Sequence, residues 1–118
     1  MPSGKKGTSG NRREFMFIKS EYKLIRINLD DILFLSGLRD YTQIYLKGKS
    51  SPLTTLQNLK EFETKLSEED FIRVHRSFII SLSKVDTISR NEINIGSHTI
   101  PIGNAFKHSL DAAIEKNS

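Results

Sequence analysis

Cysteine is absent from the 118 residues, which excludes disulfides, thiolate metal sites and thiol nucleophiles. The same absence fits a reducing cytoplasm. Long apolar runs are missing too. None approaches the ~20 residues that cross a bilayer, so no membrane segment is expected. The N-terminus, Met1 to Lys6, carries positive charge with no apolar stretch behind it and does not read as a secretory signal. Gly96 and Gly103 stand alone, so there is no phosphate-cradling loop, and no serine has nucleophile-elbow spacing. His75, His98 and His108 lack the spacing of metal ligands on a helix. The acids at Asp30-Asp31 and Glu68-Glu69-Asp70 fall in turns beside helix ends, where solvated charge explains them better than acid–base catalysis. Neither an enzyme nor a metal or cofactor site is expected.

What is present begins with a net charge of +4, and its location matters. Lys5, Lys6, Arg12 and Arg13 account for all of it, because residues 1–13 hold no acid. The other 14 basic residues are matched by 14 acids. Residues 1–13, rich in Gly, Ser, Lys and Arg, read as a disordered basic linker, or as an arm attracting phosphate non-specifically. The rest, 14–118, is neutral in total and reads as one domain. Any nucleic-acid face there must come from local segregation of charge.

The pattern along 14–118 is mostly strands. Phe15-Met16-Phe17-Ile18 and the alternating Tyr22 to Ile27 come first, with Tyr22, Leu24 and Arg26 on one side. Ile32-Leu33-Phe34-Leu35 and Tyr41 to Leu46 follow, rich in β-branched and aromatic residues. Leu56, Leu59, Phe62, Glu63 and Leu66 share one helical face, four of the five apolar, and predict a helix over 55–66 capped by Thr54 or Thr55. Phe71 to Ile80 is extended at both ends and interrupted by Arg76-Ser77. Val85 to Ser89 and Glu92 to Ile95 suggest a hairpin around Arg90-Asn91, and His98 to Ile102 a strand whose Pro101 suits an edge. Phe106, Leu110, Ala113 and Ile114 form the stripe of a last helix starting near Asn104, which is a good N-cap. The fold class is mainly β with one or two helices (α+β). Parallel crossover units are not expected, since only one helix lies between strands.

Three segments carry chemistry. Arg39-Asp40-Tyr41-Thr42 sits between two apolar strands and offers a guanidinium, a phenol and a hydroxyl, which suit phosphate and base-edge contacts. A solvated loop with a core-packed tyrosine is the plain alternative. Arg73-Val74-His75-Arg76-Ser77 lies in a stretch, 71–85, with three cations and no acid. Arg76 has the forked donors that read guanine O6 and N7 together. His75 is better explained as a half-buried histidine bonded to a carbonyl, and Arg73 is equally an exposed strand cation. Third, Gly103-Asn104-Ala105-Phe106-Lys107 opens the last helix, where free N–H groups attract phosphate. Asn104 either caps or reads adenine, Lys107 suits a phosphate, and Phe106 belongs to the core.

Phe71-Ile72-Arg73-Val74-His75-Arg76-Ser77-Phe78-Ile79-Ile80 closely resembles the signature of the LytTR DNA-binding family. Ile32 to Leu35 with Tyr41, Thr54 to Leu59, and Ile100-Pro101-Ile102 resemble the family's other segments in the same order. The resemblance spans about 14–115. It implies an elongated set of small antiparallel sheets that reads double-stranded DNA through loops between strands, for transcription regulation in the bacterial cytoplasm. It further implies direct-repeat sites spaced about one helical turn, bound by two copies of a domain that alone is a monomer, and bending of the duplex. An upstream phosphoacceptor receiver domain of a two-component response regulator is expected outside this chain. The implied reading positions are Arg39, Tyr41 and Thr42, then Arg73, His75, Arg76 and Ser77, then Asn104 and Lys107. Gly103-Asn104 departs from the family's common Ser-Arg, and Ser36 and Ser81 depart from an acid and an asparagine, which suggests altered site preference. The alternative is a β-rich protein-interaction module with Arg76 and Tyr41 at its centre.

Overall fold

The computed structural model describes residues 14–118. The basic linker expected at 1–13 lies outside the described residues. Fifteen short segments of regular structure follow in order. They begin with β1 (Phe15–Ser20), β2 (Lys23–Asn28) and a 3-10 turn (Leu29–Asp31). Next come β3 (Ile32–Gly37), β4 (Thr42–Leu46), β5 (Leu53–Thr55), helix α1 (Leu59–Lys65), β6 (Phe71–His75) and β7 (Phe78–Ser81). After a second 3-10 turn (Leu82–Lys84) come β8 (Thr87–Ile88), β9 (Glu92–Ile95) and β10 (His98–Pro101). A third 3-10 turn (Asn104–Phe106) leads directly into α2 (Lys107–Lys116).

The strands form three small antiparallel sheets. β1 and β2 make a ribbon, β5-β4-β3-β7-β6 a central sheet, and β10-β9-β8 a third sheet. Two apolar cores flank the central sheet. One joins Met16, Ile18 and Ile27 of the ribbon with Leu59 and Phe62 of α1 and with Ile32, Leu35, Ile44 and Ile79. The other joins Ile93, Ile95 and Ile100 of the third sheet and Leu110 of α2 with Phe34, Val74 and Ile80. Adjacent residues such as Ile79 and Ile80 therefore enter opposite cores, as the two-residue strand period demands. This double cover is why Ile32 to Leu35 reads as an unbroken apolar run. A register shift between Ile32 and Phe34 accommodates it.

The first helix is shorter than its apolar stripe predicts. Thr54 and Thr55 belong to β5, pairing with Gln43 and Thr42, and Leu56 is 82% exposed. The cap is Asn58. Its side chain accepts from the Glu61 N–H at 2.9 Å, and the Glu61 carboxylate accepts from the Asn58 N–H at 3.1 Å. This reciprocal box fixes the start of the helix. Asn58→Ala is expected to lower stability by about 1 kcal/mol in urea unfolding.

Two further expectations change. Tyr22 lies in the ribbon turn and is fully exposed. Asn104 caps nothing. It is the first residue of the 3-10 turn, and its side chain makes no cap bond, while Phe106 is the residue preceding α2.

Candidate nucleic-acid interface

Every strand end that matters here points the same way. β3 ends and β4 begins at the end of the central sheet where β6 ends and β7 begins. The Gly37 N–H donates to the Ser77 carbonyl at 2.8 Å, tying the 38–41 loop to the 76–77 turn. A Cβ on Gly37 would lie 2.7 Å from Leu59 Cδ1, so the bare backbone lets α1 close over this end. The third segment is tied in by the Gly103 N–H, which donates to the Val74 carbonyl at 2.8 Å. The three polar segments read from the sequence thus converge on one end of the sheet.

The β6–β7 connection is a two-residue turn, Arg76-Ser77. Arg76 is exposed at its tip, and its guanidinium makes no hydrogen bond or ion pair among the described residues. Behind it, the Ser77 N–H donates to His75 Nδ1 at 3.0 Å. With Nδ1 accepting, neutral His75 carries its proton on Nε2, which makes Nε2–H its donor. Its ring lies 5.5 Å from that of Phe78 and beside Gly103, so His75 is part of the platform under the turn.

The structure reassigns two residues expected to touch DNA. Thr42 is wholly buried, and its Oγ1 donates to the Gln57 carbonyl at 2.7 Å. Its position as the first residue of β4 turns the hydroxyl inward, away from any ligand. Arg73 is occupied internally. Nη1 donates to Glu63 Oε1 at 2.9 Å, Nε to the His75 carbonyl at 3.3 Å, and Nη2 to the Arg76 carbonyl. A fork bonded on both sides is not available to a phosphate.

Of the remaining candidates, Arg39 is exposed in the 38–41 loop and Tyr41 is 37% exposed beside it. The loop is pinned by the Leu38 N–H donating to the Tyr41 carbonyl at 2.7 Å. Asn104 is exposed with its amide unengaged by any cap. Lys107 Nζ donates to Asn91 Oδ1 at 3.2 Å, a neutral acceptor that leaves its charge uncompensated. Sequence reasoning passed over the β8–β9 turn, reading Arg90-Asn91 only as hairpin punctuation. The Ile102 N–H donates to the Asn91 carbonyl at 2.9 Å, which brings exposed Arg90 toward the third segment. An arginine where a tight turn ordinarily takes glycine was the available signal.

Among the described residues no group of three or more His, Cys, Asp or Glu could hold a metal ion. No helix there is long and apolar enough to cross a membrane.

The model of the LytTr DNA-binding domain family matches residues 22–115. The chain belongs to the LytTR family of DNA-binding domains. The three converging polar segments of this LytTR domain fall inside the match, whereas β1 lies before it. Among solved structures, the LytTr DNA-binding domain of a Bacillus cereus protein described as a methyl-accepting/DNA response regulator is similar in fold. Its TM-score is 0.72 at 18% identity, over 86% of this chain and 97% of that one. No curated protein matches the chain significantly.

Proposed function

We propose that this LytTR domain binds double-stranded DNA sequence-specifically to regulate transcription, as the output part of a two-component response regulator. It reads the major groove with loops in place of a recognition helix. Arg76 reaches base edges from the turn tip, where its fork suits guanine. Asn104 is suited to adenine, and His75 Nε2–H and the Ser77 hydroxyl supply shorter-range donors. Arg39, Tyr41, Lys107 and Arg90 hold phosphates on either side and set the register. Two copies occupy direct repeats about one helical turn apart and bend the duplex between them. The carrying observation is the convergence of the three segments through Gly37–Ser77 and Gly103–Val74, with Arg76 unengaged at the centre.

The test is selection of bound duplexes from a random pool at moderate salt. A short enriched motif repeated about one turn apart is the expected result. Binding to that duplex should weaken steeply with salt, with a log–log slope of roughly 0.9 per phosphate neutralised. Lys107→Ala should reduce the slope by about one phosphate and weaken all sequences alike.

A protein-interaction role is the second reading. It is favoured by the outer face of the ribbon, where Phe15 (43% exposed), Phe17 (54%) and Leu24 (62%) stand in solvent. If that role replaced DNA binding, the pool would yield no motif and any association found would be insensitive to salt.

A further inference from the structure

Glu63 is the one acid on the apolar stripe of α1, and DNA reading by itself gives it no role. Its carboxylate, with the side chain 47% exposed, accepts from Arg73 Nη1 at 2.9 Å. Arg73 stands where the β6–β7 pairing shifts register, between Arg73 and His75. From there its other donors close on the carbonyls of His75 and Arg76. Phe106 flanks the guanidinium, its ring centroid 6.0 Å from Arg73 Cζ.

A guanidinium is planar and its donors have fixed directions. Holding one edge on a carboxylate therefore dictates where the other edge points. Two consecutive carbonyls of a tight turn, bonded by that second edge, cannot rotate independently. The turn is fixed from its other side as well, by the Ser77 N–H on His75 and the Gly37 N–H on the Ser77 carbonyl. Without Glu63, Arg73 would be an uncompensated cation free to swing toward solvent or a phosphate. With it, the pair is charge-neutral, and Arg76 is the cation left to face a ligand.

We propose that Glu63 is a positioning residue for the reading turn. Acting through Arg73, it fixes the backbone of residues 75–77 and so aims Arg76, and it connects α1 mechanically to the site. The DNA consequence rests on the reading of Arg76 given above, but the constraint on the turn does not.

The experiment compares the wild-type domain with Glu63→Gln, Glu63→Asp and Asn58→Ala. The last weakens the same helix at its other end without touching Arg73. Two readouts are taken: amide hydrogen exchange at Ser77 and Gly37 without DNA, and affinity for the selected duplex against a scrambled one. Glu63→Gln should raise exchange at both amides and lower specific affinity about tenfold, the loss of a charge-assisted bond. Scrambled-duplex affinity should hold or rise. Glu63→Asp should recover part of the loss, and Asn58→Ala should leave specificity unchanged at temperatures where it is folded. Unchanged exchange in folded Glu63→Gln, or the same specificity loss in Asn58→Ala, overturns the proposal. Raised exchange with unaltered specificity overturns the aiming of Arg76. Failure of the wild type to prefer any duplex overturns the DNA reading instead, and exchange then still decides whether Glu63 constrains the turn.

Discussion

Arg76→Ala lowers affinity for the selected duplex by about 1–3 kcal/mol, roughly 5- to 150-fold, and leaves thermal stability within about 0.5 kcal/mol of wild type. The side chain is exposed and has no hydrogen-bond or ion-pair partner among the described residues, so its removal opens no cavity and orphans no partner there. On the proposed reading the loss should fall on specific binding, because Arg76 stands at the tip of the turn as the base contact, with Arg39 and Lys107 as the phosphate contacts. Arg76→Lys separates the two contributions. It keeps the charge but loses the planar fork, so scrambled-duplex binding should persist while discrimination falls. Titrations of both duplexes with each variant, alongside a melt, provide the check. Undiminished specific binding by folded Arg76→Ala would remove this residue from the interface.

Phe62→Ala produces the largest loss of stability, about 3–5 kcal/mol. Phe62 is 1% exposed and sits in the core between α1, the ribbon and the central sheet. Deleting the ring removes apolar burial and leaves a void that strands on two sheets cannot collapse to fill. Against a typical total of about 5–15 kcal/mol, this approaches unfolding at physiological temperature. Urea titration should show a lower midpoint at unchanged slope. The contrasting variant is Leu56→Ala. Leu56 belongs to the same helical stripe on paper, yet at 82% exposure its truncation should move stability by no more than about 0.5 kcal/mol. Equal effects at the two positions would mean that the helix extends back to Leu56.

That pair also marks where the sequence was legible. Periodicity located the helix but not its start, because the stripe of leucines extends ahead of the first turn without announcing that Thr54 and Thr55 pair with β4. The competing signal, Asn58 followed three residues later by Glu61, was present and is the stronger one physically, since it satisfies two backbone donors. For Asn104 the bias ran the other way. An asparagine after glycine suggests a cap, but the chain enters α2 through a 3-10 turn with Gly103 ahead of it, and the amide is left to solvent. Thr42 and Arg73 were chosen for residue type, and type does not reveal direction. Thr42 begins a strand whose first side chain points to the core, and Arg73 lies three positions from a turn whose carbonyls its fork can reach.

By itself the sequence determined that residues 14–118 are β-rich and cysteine-free with one or two helices, and the ten residues from Phe71 to Ile80 carried the resemblance to the family. It also singled out Arg76, because a cation interrupting an apolar run has no structural reason to be there. These are properties of local pattern, which alternation and spacing record directly. Only the tertiary structure decided that the 38–41 loop, the 76–77 turn and residues 103–107 share one end of a sheet. It also decided that Arg90 joins them, that Thr42 and Arg73 turn inward, and that Glu63 on a distant helix holds the guanidinium beneath the turn. Those outcomes depend on hydrogen bonds between residues far apart in the chain, such as Gly37 to Ser77 and Glu63 to Arg73. No local pattern encodes a partner that folding alone brings within reach.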